Sequence, residues 1–415
     1  MSACGLDFGT SNTTLGTSDA GAPKLVALED GNVTIPSAIF YSPVRIPEIG
    51  RAAIAAYIDG VDGRLMRSIK SVLGSSLIDE RTVLGRERAP FRRVIADYLR
   101  IVKARAEKEI GHELTAVVHG RPVHFVDGDE TGDKKAEDAL KKIAKEIGFK
   151  HVLFQYEPIA AALDYEQRVT HEEIALIADI GGGTSDFSIV RLGPDRRAKP
   201  DRAHDILAND GVRIGGTDFD RKLSLEKLMP LFGFGSEMKR DGLGVPNGYF
   251  HDLATWHSIN RLYDPKLIRQ LHDVEKEAAE PHLIARLIKL AEERRGHALA
   301  GQVEAAKIAL SDEPETEIAL DWLEAGFAVG MTQDDLARGT SALADAIGAR
   351  IKTCLDHAGL SADKIDALFL TGGSTKLVHV RAAIAVKLPG TKIVEGDIFG
   401  SVGTGLTLEA GRRFS

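Results

Sequence analysis

Asp179-Ile180-Gly181-Gly182-Gly183-Thr184 closes an apolar run from Ile174 to Ile180 and precedes a second β-prone run, Phe187 to Leu192. The segment reads as strand, glycine turn and returning strand. The same order occurs 172 positions earlier: Ala3 to Phe8 is a strand, Gly9-Thr10-Ser11-Asn12 a turn, and Thr13 to Thr17 the return. Asp7-Phe8-Gly9-Thr10 repeats the later stretch, with Asp at the strand end, Gly in the turn and Thr just after. A repeat of this length is lobe-sized, whereas solenoid periods run roughly 20 to 50 residues. Two related α/β halves are therefore expected.

Outward from the two hairpins the elements continue in a shared order. Phe91, Val94, Ile95, Tyr98, Leu99, Val102 and Ile110 keep helical spacing up to Gly111. Thr115 to Val118 reads as a short strand running into Gly120-Arg121-Pro122. Ala136, Leu140, Ile143 and Ile147 mark a helix stopped by Gly148, followed by a strand from Val152 to Phe154 and a helix starting near Pro158. Asp366 to Leu370 with Thr371-Gly372-Gly373-Ser374 echoes the Thr115 to Pro122 segment. Residues 222–300, rich in Lys, Arg, Glu and His, are expected to form a peripheral helical subdomain. Helical patterns resume from Ala285 to Leu310 and from Asp334 to Ala358.

The 415 residues exceed what one core usually serves, and 43% hydrophobic with 27% charged residues is ordinary globular composition. A net charge of −8 without a long basic run offers no electrostatic footprint for nucleic acid. Cys4 and Cys354 lack CxxC or zinc spacing and read as packing residues of a reducing compartment. Asp7 interrupts the apolar start, and no run approaches roughly 18 apolar residues. A cytoplasmic protein without a membrane partner is expected.

Glycine is the unusual count, 42 residues. Bare glycine lets backbone N–H groups approach anionic oxygens, threonine hydroxyls add donors, and an aspartate can hold hydrated Mg²⁺ against phosphates. Three consecutive glycines cost more unfolded-state entropy than a plain hairpin turn warrants. A phosphate-rich ligand is the first chemical inference. No GxxxxGK[ST] and no GxGxxG after a strand is present, which excludes P-loop and Rossmann readings, and the absence of HExxH and GxSxG argues against metalloprotease and serine-hydrolase readings. A cleft with two Asp-bearing loops, Mg²⁺ and one lysine would suffice for phosphoryl transfer. Spacing alone does not choose that lysine: by pattern Lys70 is a solvated surface residue, and Glu304 with Lys307 is an exposed i, i+3 ion pair.

Five segments, in order along nearly the whole chain, carry a resemblance: Gly5 to Asn12, Tyr156-Glu157-Pro158 to Ala162, Asp179 to Asp186, Ile214-Gly215-Gly216-Thr217-Asp218-Phe219-Asp220 and Thr371 to Thr375. Together they resemble the nucleotide-binding domain of the Hsp70 family. Gly120-Arg121-Pro122-Val123, Phe154 to Pro158, Leu228-Met229-Pro230-Leu231 and Gly396 to Val402 look like its YegD-type branch. The resemblance implies a two-lobed actin-like ATPase fold, an α/β architecture with duplicated ribonuclease-H-like mixed sheets and a central nucleotide cleft. Lobe I would be residues 1–168 with a C-terminal helix 397–415, and lobe II residues 169–396.

The resemblance also implies residue roles. Gly9, Thr10, Ser11 and Asn12 would line the phosphates of ATP or ADP, and Asp7 would hold Mg²⁺ through water. Asp179, beside the metal, would orient the attacking water. Lys70 is the implied catalytic lysine and Glu157 its neighbour. Gly181, Gly182, Gly183 and Thr184 would clamp phosphate, with Asp186 near a monovalent cation such as K⁺. Gly215, Gly216, Gly372, Gly373 and Ser374 would approach the nucleotide, Glu304, Lys307 and Ser311 its ribose and adenine, and Asp397 completes the set. Ile308 stands where the family commonly has an arginine stacked on adenine. The family's chaperones follow this module with a linker and a client-gripping β-sandwich, and this sequence stops at Ser415. The expected function is slow ATP hydrolysis coupled to lobe closure, related to chaperones, with client proteins or co-chaperones as partners. A sugar kinase, a filament-forming relative and a nucleotide-sensing scaffold share the fold. No general-base aspartate for a sugar hydroxyl is evident in the sequence.

Overall fold

A computed structural model describes residues 2–19, 21–43, 46–84, 87–126, 129–197, 199, 201–240, 242–395 and 400–414. The chain forms two compact units. The first comprises Met1–Arg213, Arg350–Thr375 and Val386–Ser415, the second Ile214–Ala349 and Lys376–Ala385.

The first unit holds two mixed sheets of one topology. In the first sheet the strands are β1 (Ala3–Phe8), β2 (Asn12–Asp19), β3 (Ala22–Leu25), β4 (Ala116–Arg121) and β5 (His151–Tyr156), in the order β5-β4-β1-β2-β3, with Thr34–Pro36 also paired to β2. The second sheet has β6 (Glu173–Ile180), β7 (Ser185–Leu192), β8 (Ile206–Val212), β9 (Ala367–Thr371) and β10 (Lys392–Glu395), in the order β10-β9-β6-β7-β8. Each sheet thus has two antiparallel pairings on one side of its first strand and two parallel pairings on the other. The duplication extends to register. Asp7 faces Thr14 and Phe8 faces Thr13, while 172 residues on Asp179 faces Asp186 and Ile180 faces Ser185. The α/β fold with two ribonuclease-H-like sheets is as the sequence led one to expect.

Central strands buried on both faces read as unbroken apolar runs, because helices cover each side. In β6, Ala175, Leu176, Ile177 and Ala178 are all buried. The helices of this unit include α1 (Phe91–Ile110), α2 (Glu130–Glu146) and α3 (Glu157–Glu166). Pro158 sits in the first turn of α3, where a missing N–H costs nothing. Ile159, Ala162 and Leu163 of α3 pack with Ala175, Ile177, Val190 and Phe369 of the second sheet. Ala160 joins Val118 of β4 and Leu406 and Ala410 of the C-terminal helix, Ser401–Phe414, in a separate cluster. α3 is therefore wedged between the two sheets, which fixes its first residue, Glu157, between them. Its last residue, Glu166, is fully buried against Arg202 at 2.9 Å, and Arg202 also binds Asp205. Removing one partner of such a buried pair costs about 3–5 kcal/mol.

The second unit is largely helical across residues 222–300. It carries α4 (Gly216–Leu223), α5 (Gly296–Ala309) and a hairpin of Glu315–Ala319 with Ala328–Thr332. α6 (Gln333–Ala358) begins within it. The helix read from Ala285 to Leu310 is in fact two, Pro281–Glu292 and α5. Arg294 adopts a left-handed φ of 54°, and at Gly296 a Cβ would press on Ile259 at 2.6 Å. Four charged residues, Glu292 to Arg295, interrupt the apolar pattern at the break. The helix expected at 397–415 is described from Ser401, and residues 396–399, including Asp397, lie outside the described residues. Cys4 and Cys354 are buried free thiols. Among the described residues no helix is long and apolar enough to cross a membrane.

Candidate functional site

The two glycine turns close alike. Gly9 donates its N–H to the Asn12 carbonyl at 3.0 Å, and Gly181 donates to the Thr184 carbonyl at 2.9 Å. Each is braced by a serine hydroxyl from elsewhere: Ser37 Oγ donates to Gly9 O at 2.7 Å, and Ser374 Oγ donates to Gly181 O at 3.3 Å. The turns also meet. A Cβ on Gly182 would overlap Ser11 Oγ, so glycine there is what lets the two bends approach. Gly372 adopts a φ of 82°, and a side chain on it would collide with the Asp179 carboxylate at 2.5 Å. Gly373 and Ser374 open the 3₁₀ turn Gly373–Lys376. Within the first unit the structure thus gathers Gly9 to Asn12, Gly181 to Thr184 and Gly372 to Ser374.

Charge collects at the same place. Lys70 lies in the 3₁₀ turn Ile69–Val72, entered through Ser68 with a left-handed φ of 54°. Its ammonium donates to Glu157 Oε1 at 2.6 Å, with side chains only 10% and 19% exposed. Burial pulls the Lys70 ammonium down, but the charges of Glu157 and Asp7, the Glu157 hydrogen bond and the Asp186 charge more than restore it, so it stays protonated. Desolvation, then the Glu157 charge, pushes Asp7 up to about 7 against the pull of Lys70. Desolvation, then the Asp186 and Glu157 charges, pushes Asp179 up to about 7. Asp186 accepts the Thr184 hydroxyl at 2.9 Å.

Four carboxylates thus surround a single ammonium. That donor set suits a hydrated divalent cation, and Mg²⁺ fits it, since Mg²⁺ keeps most of its waters and binds through one or two carboxylates plus substrate phosphates. Among the described residues no three His, Cys, Asp or Glu side chains converge tightly enough to hold a metal alone. Water and phosphate oxygens would have to supply most of the ligands.

Two contributors escaped the sequence reading. Ser37 sits in Pro36-Ser37-Ala38, which carries no local signal for the brace it makes. His119 on β4 is fully buried and donates Nδ1 to the Gly120 carbonyl at 2.8 Å. Burial pulls it down to about 4, with the Lys70 charge adding and the Gly120 bond opposing, so it is neutral.

The other described residues that the resemblance implies lie in the second unit. Gly215 donates its N–H to Asp218 Oδ2 at 3.0 Å at the start of α4. Lys307 is buried rather than surface-paired with Glu304: its ammonium binds Asp220 at 2.8 Å and the Gly216 carbonyl at 3.1 Å, tying α5 to α4. Glu304 and Ile308, one turn apart on α5, are exposed, Ile308 at 57%, and Ser311 is half-buried just beyond the helix.

The family description "Hsp70 protein" matches residues 3–229 and 283–395. The "Chaperone protein HscA homolog" of Laribacter hongkongensis is 27% identical over 401 residues, covering 92% of this chain and 54% of that protein. The protein of the same description from Azotobacter vinelandii is 28% identical over 436 aligned positions, covering 98% of this chain and 57% of its own length. The chain spans about half the length of the curated relatives it matches.

Proposed function

We propose, from the premise that the chain belongs to the Hsp70 family, that it binds ATP and hydrolyses it slowly. The observation that carries this reading is the meeting of two duplicated glycine turns beside Lys70, Glu157, Asp7 and Asp179. Backbone N–H groups of Gly182 and Gly183, with the Thr10 and Ser11 hydroxyls and the Asn12 amide, would donate to phosphate oxygens; Gly181, whose N–H closes the turn on Thr184, would shape that cradle, and the Thr184 hydroxyl would join it on turning away from Asp186. Lys70, held by Glu157, would place its positive charge where negative charge accumulates as the terminal phosphoryl departs. Asp179 would orient the attacking water and accept hydrogen bonds from it. Asp7, with Asp179, would hold Mg²⁺, whose contribution is to neutralise phosphate oxygens, and Asp186 a K⁺ ion. Gly215, Gly216, Gly372 and Gly373 would approach the nucleotide, and Glu304, Lys307 and Ser311 its ribose and base. Lys307 could do so only while keeping its bond to Asp220.

Hydrolysis would accompany closure of lobes 1–168 and 169–396 in a cytoplasmic, chaperone-related protein of the YegD type. The relatives' description as chaperones supports only the chaperone relation, and client proteins or co-chaperones would be the partners. Phosphate release from Lys70→Ala and Asp179→Ala is expected to fall by roughly 10²–10³ while ATP still binds. Equal turnover in wild type and both variants would contradict the roles. Tight binding with no release in any protein would indicate a nucleotide sensor instead.

A further inference from the structure

We propose that Arg121 is a positioning residue that fixes Glu157, and through it the ammonium of Lys70. Arg121 ends β4 and is paired in register with Tyr156, the last residue of β5 and the neighbour of Glu157. Its guanidinium lies 5.1 Å from the Tyr156 ring centroid and 5.2 Å from that of Phe125. All three nitrogens are used. Nε donates to the Pro122 carbonyl at 3.0 Å, Nη2 to Asp133 at 2.6 Å and the Val123 carbonyl at 3.1 Å, and Nη1 to Glu137. Asp133 and Glu137 stand one turn apart on α2, and Asp133 also accepts the Phe125 N–H at 2.5 Å.

The guanidinium, only 8% exposed with its residue, therefore ties α2, the loop after β4 and the end of β5 into one block. Glu157 begins where that block ends. Gly120, just before Arg121, leaves room for the Glu157 side chain, whose Cγ would lie 3.3 Å from a Cβ at that position. A lysine cannot replace this brace, because one ammonium has neither the planar fork nor the flat face between two rings. The consequence for ATP turnover rests on the function proposed above, but the brace itself does not.

The test is pulse acetylation by acetic anhydride, with the rate at each lysine read by mass spectrometry. Wild type is compared with Arg121→Lys, Glu157→Gln and the double variant. Lys70 should be acetylated roughly tenfold faster in each single variant, and no faster in the double, as for residues acting in one chain. Lys103, 7% exposed and paired with Glu107 on α1, reports global loosening and should keep its wild-type rate. A wild-type rate at Lys70 in Arg121→Lys overturns the proposal. If Lys103 accelerates as well, Asp133→Asn decides: faster Lys70 with protected Lys103 supports the brace, and any other pattern overturns it. Phosphate release from the same proteins separates the two ideas. Faster Lys70 labelling with undiminished turnover would refute the catalytic role of the Lys70–Glu157 pair and leave the brace standing. Unchanged labelling would refute the brace and leave the function standing.

Discussion

The turns Gly9–Asn12 and Gly181–Thr184 share a backbone and differ in their side chains. Both close with the same hydrogen bond and follow an aspartate at the same register position, 172 residues apart. The first presents Thr10, Ser11 and Asn12, and the second presents three bare glycines. Across from the aspartates, Thr14 in one sheet is replaced by Asp186 in the other. The two copies share a frame, and under the function proposed above they would divide the work between side-chain donors and backbone donors. The division is steric as well as chemical, because Ser11 takes up the space a side chain on Gly182 would need.

The largest effect should come from the charges that the paired turns surround. Glu157→Gln removes the carboxylate that accepts the Lys70 ammonium and is expected to slow phosphate release by roughly 10²-fold, with ATP binding within a few-fold of wild type. A wild-type rate would show that the pair is structural. The next test breaks the asymmetry itself. Gly182→Ala should weaken ATP binding by roughly tenfold through overlap with Ser11, and adding Ser11→Ala should recover part of the loss. Unaltered affinity in Gly182→Ala would mean that the bends need not approach.

A third test uses pH. Asp7 and Asp179 titrate at about 7 in the folded chain, against 3.8 for an ordinary aspartate. Between about 4 and 7 the folded state therefore binds more protons than the unfolded state, and stability falls as pH rises through that window. Without nucleotide the protein should melt several degrees lower at pH 7.5 than at pH 5, and Asp7→Asn or Asp179→Asn should each reduce that difference. An identical pH dependence in the variants would rule out these groups as its source. The smallest effect lies away from the turns: Ile308→Arg, at an exposed position of α5, should tighten ATP binding by about 1 kcal/mol, roughly fivefold, if the base lies there. Unchanged or weaker affinity would place the base elsewhere.

Local signals carried much of the fold. Apolar runs and glycine turns located both hairpins, and Gly111 and Gly148, with left-handed φ values of 79° and 106°, lie just beyond the helices read up to them. The parallel strands run longer than read, Ala116–Arg121 against Thr115 to Val118, because sheet pairing sustains Gly120 and Arg121 in extended form despite weak β propensity. The site was legible only in part. The turns announce phosphate, but Lys70 meets Glu157 across 87 residues, and no spacing rule foretells that contact. Only the family resemblance singled out this lysine. The same holds for Lys307, whose partner Asp220 is 87 residues away, and for Arg121, whose two rings and two carboxylates come from separate elements. Periodicity reports which face is buried, whereas these contacts depend on how elements distant in sequence come together.

Calorimetric titration of the wild-type chain with ATP and with AMP, each with and without Mg²⁺, tests most directly whether the paired turns hold a phosphate tail. The account expects saturable binding of ATP that strengthens with Mg²⁺ and far weaker binding of AMP, which lacks the phosphates the turns would grasp. No binding of either, or AMP bound as tightly as ATP, would contradict it.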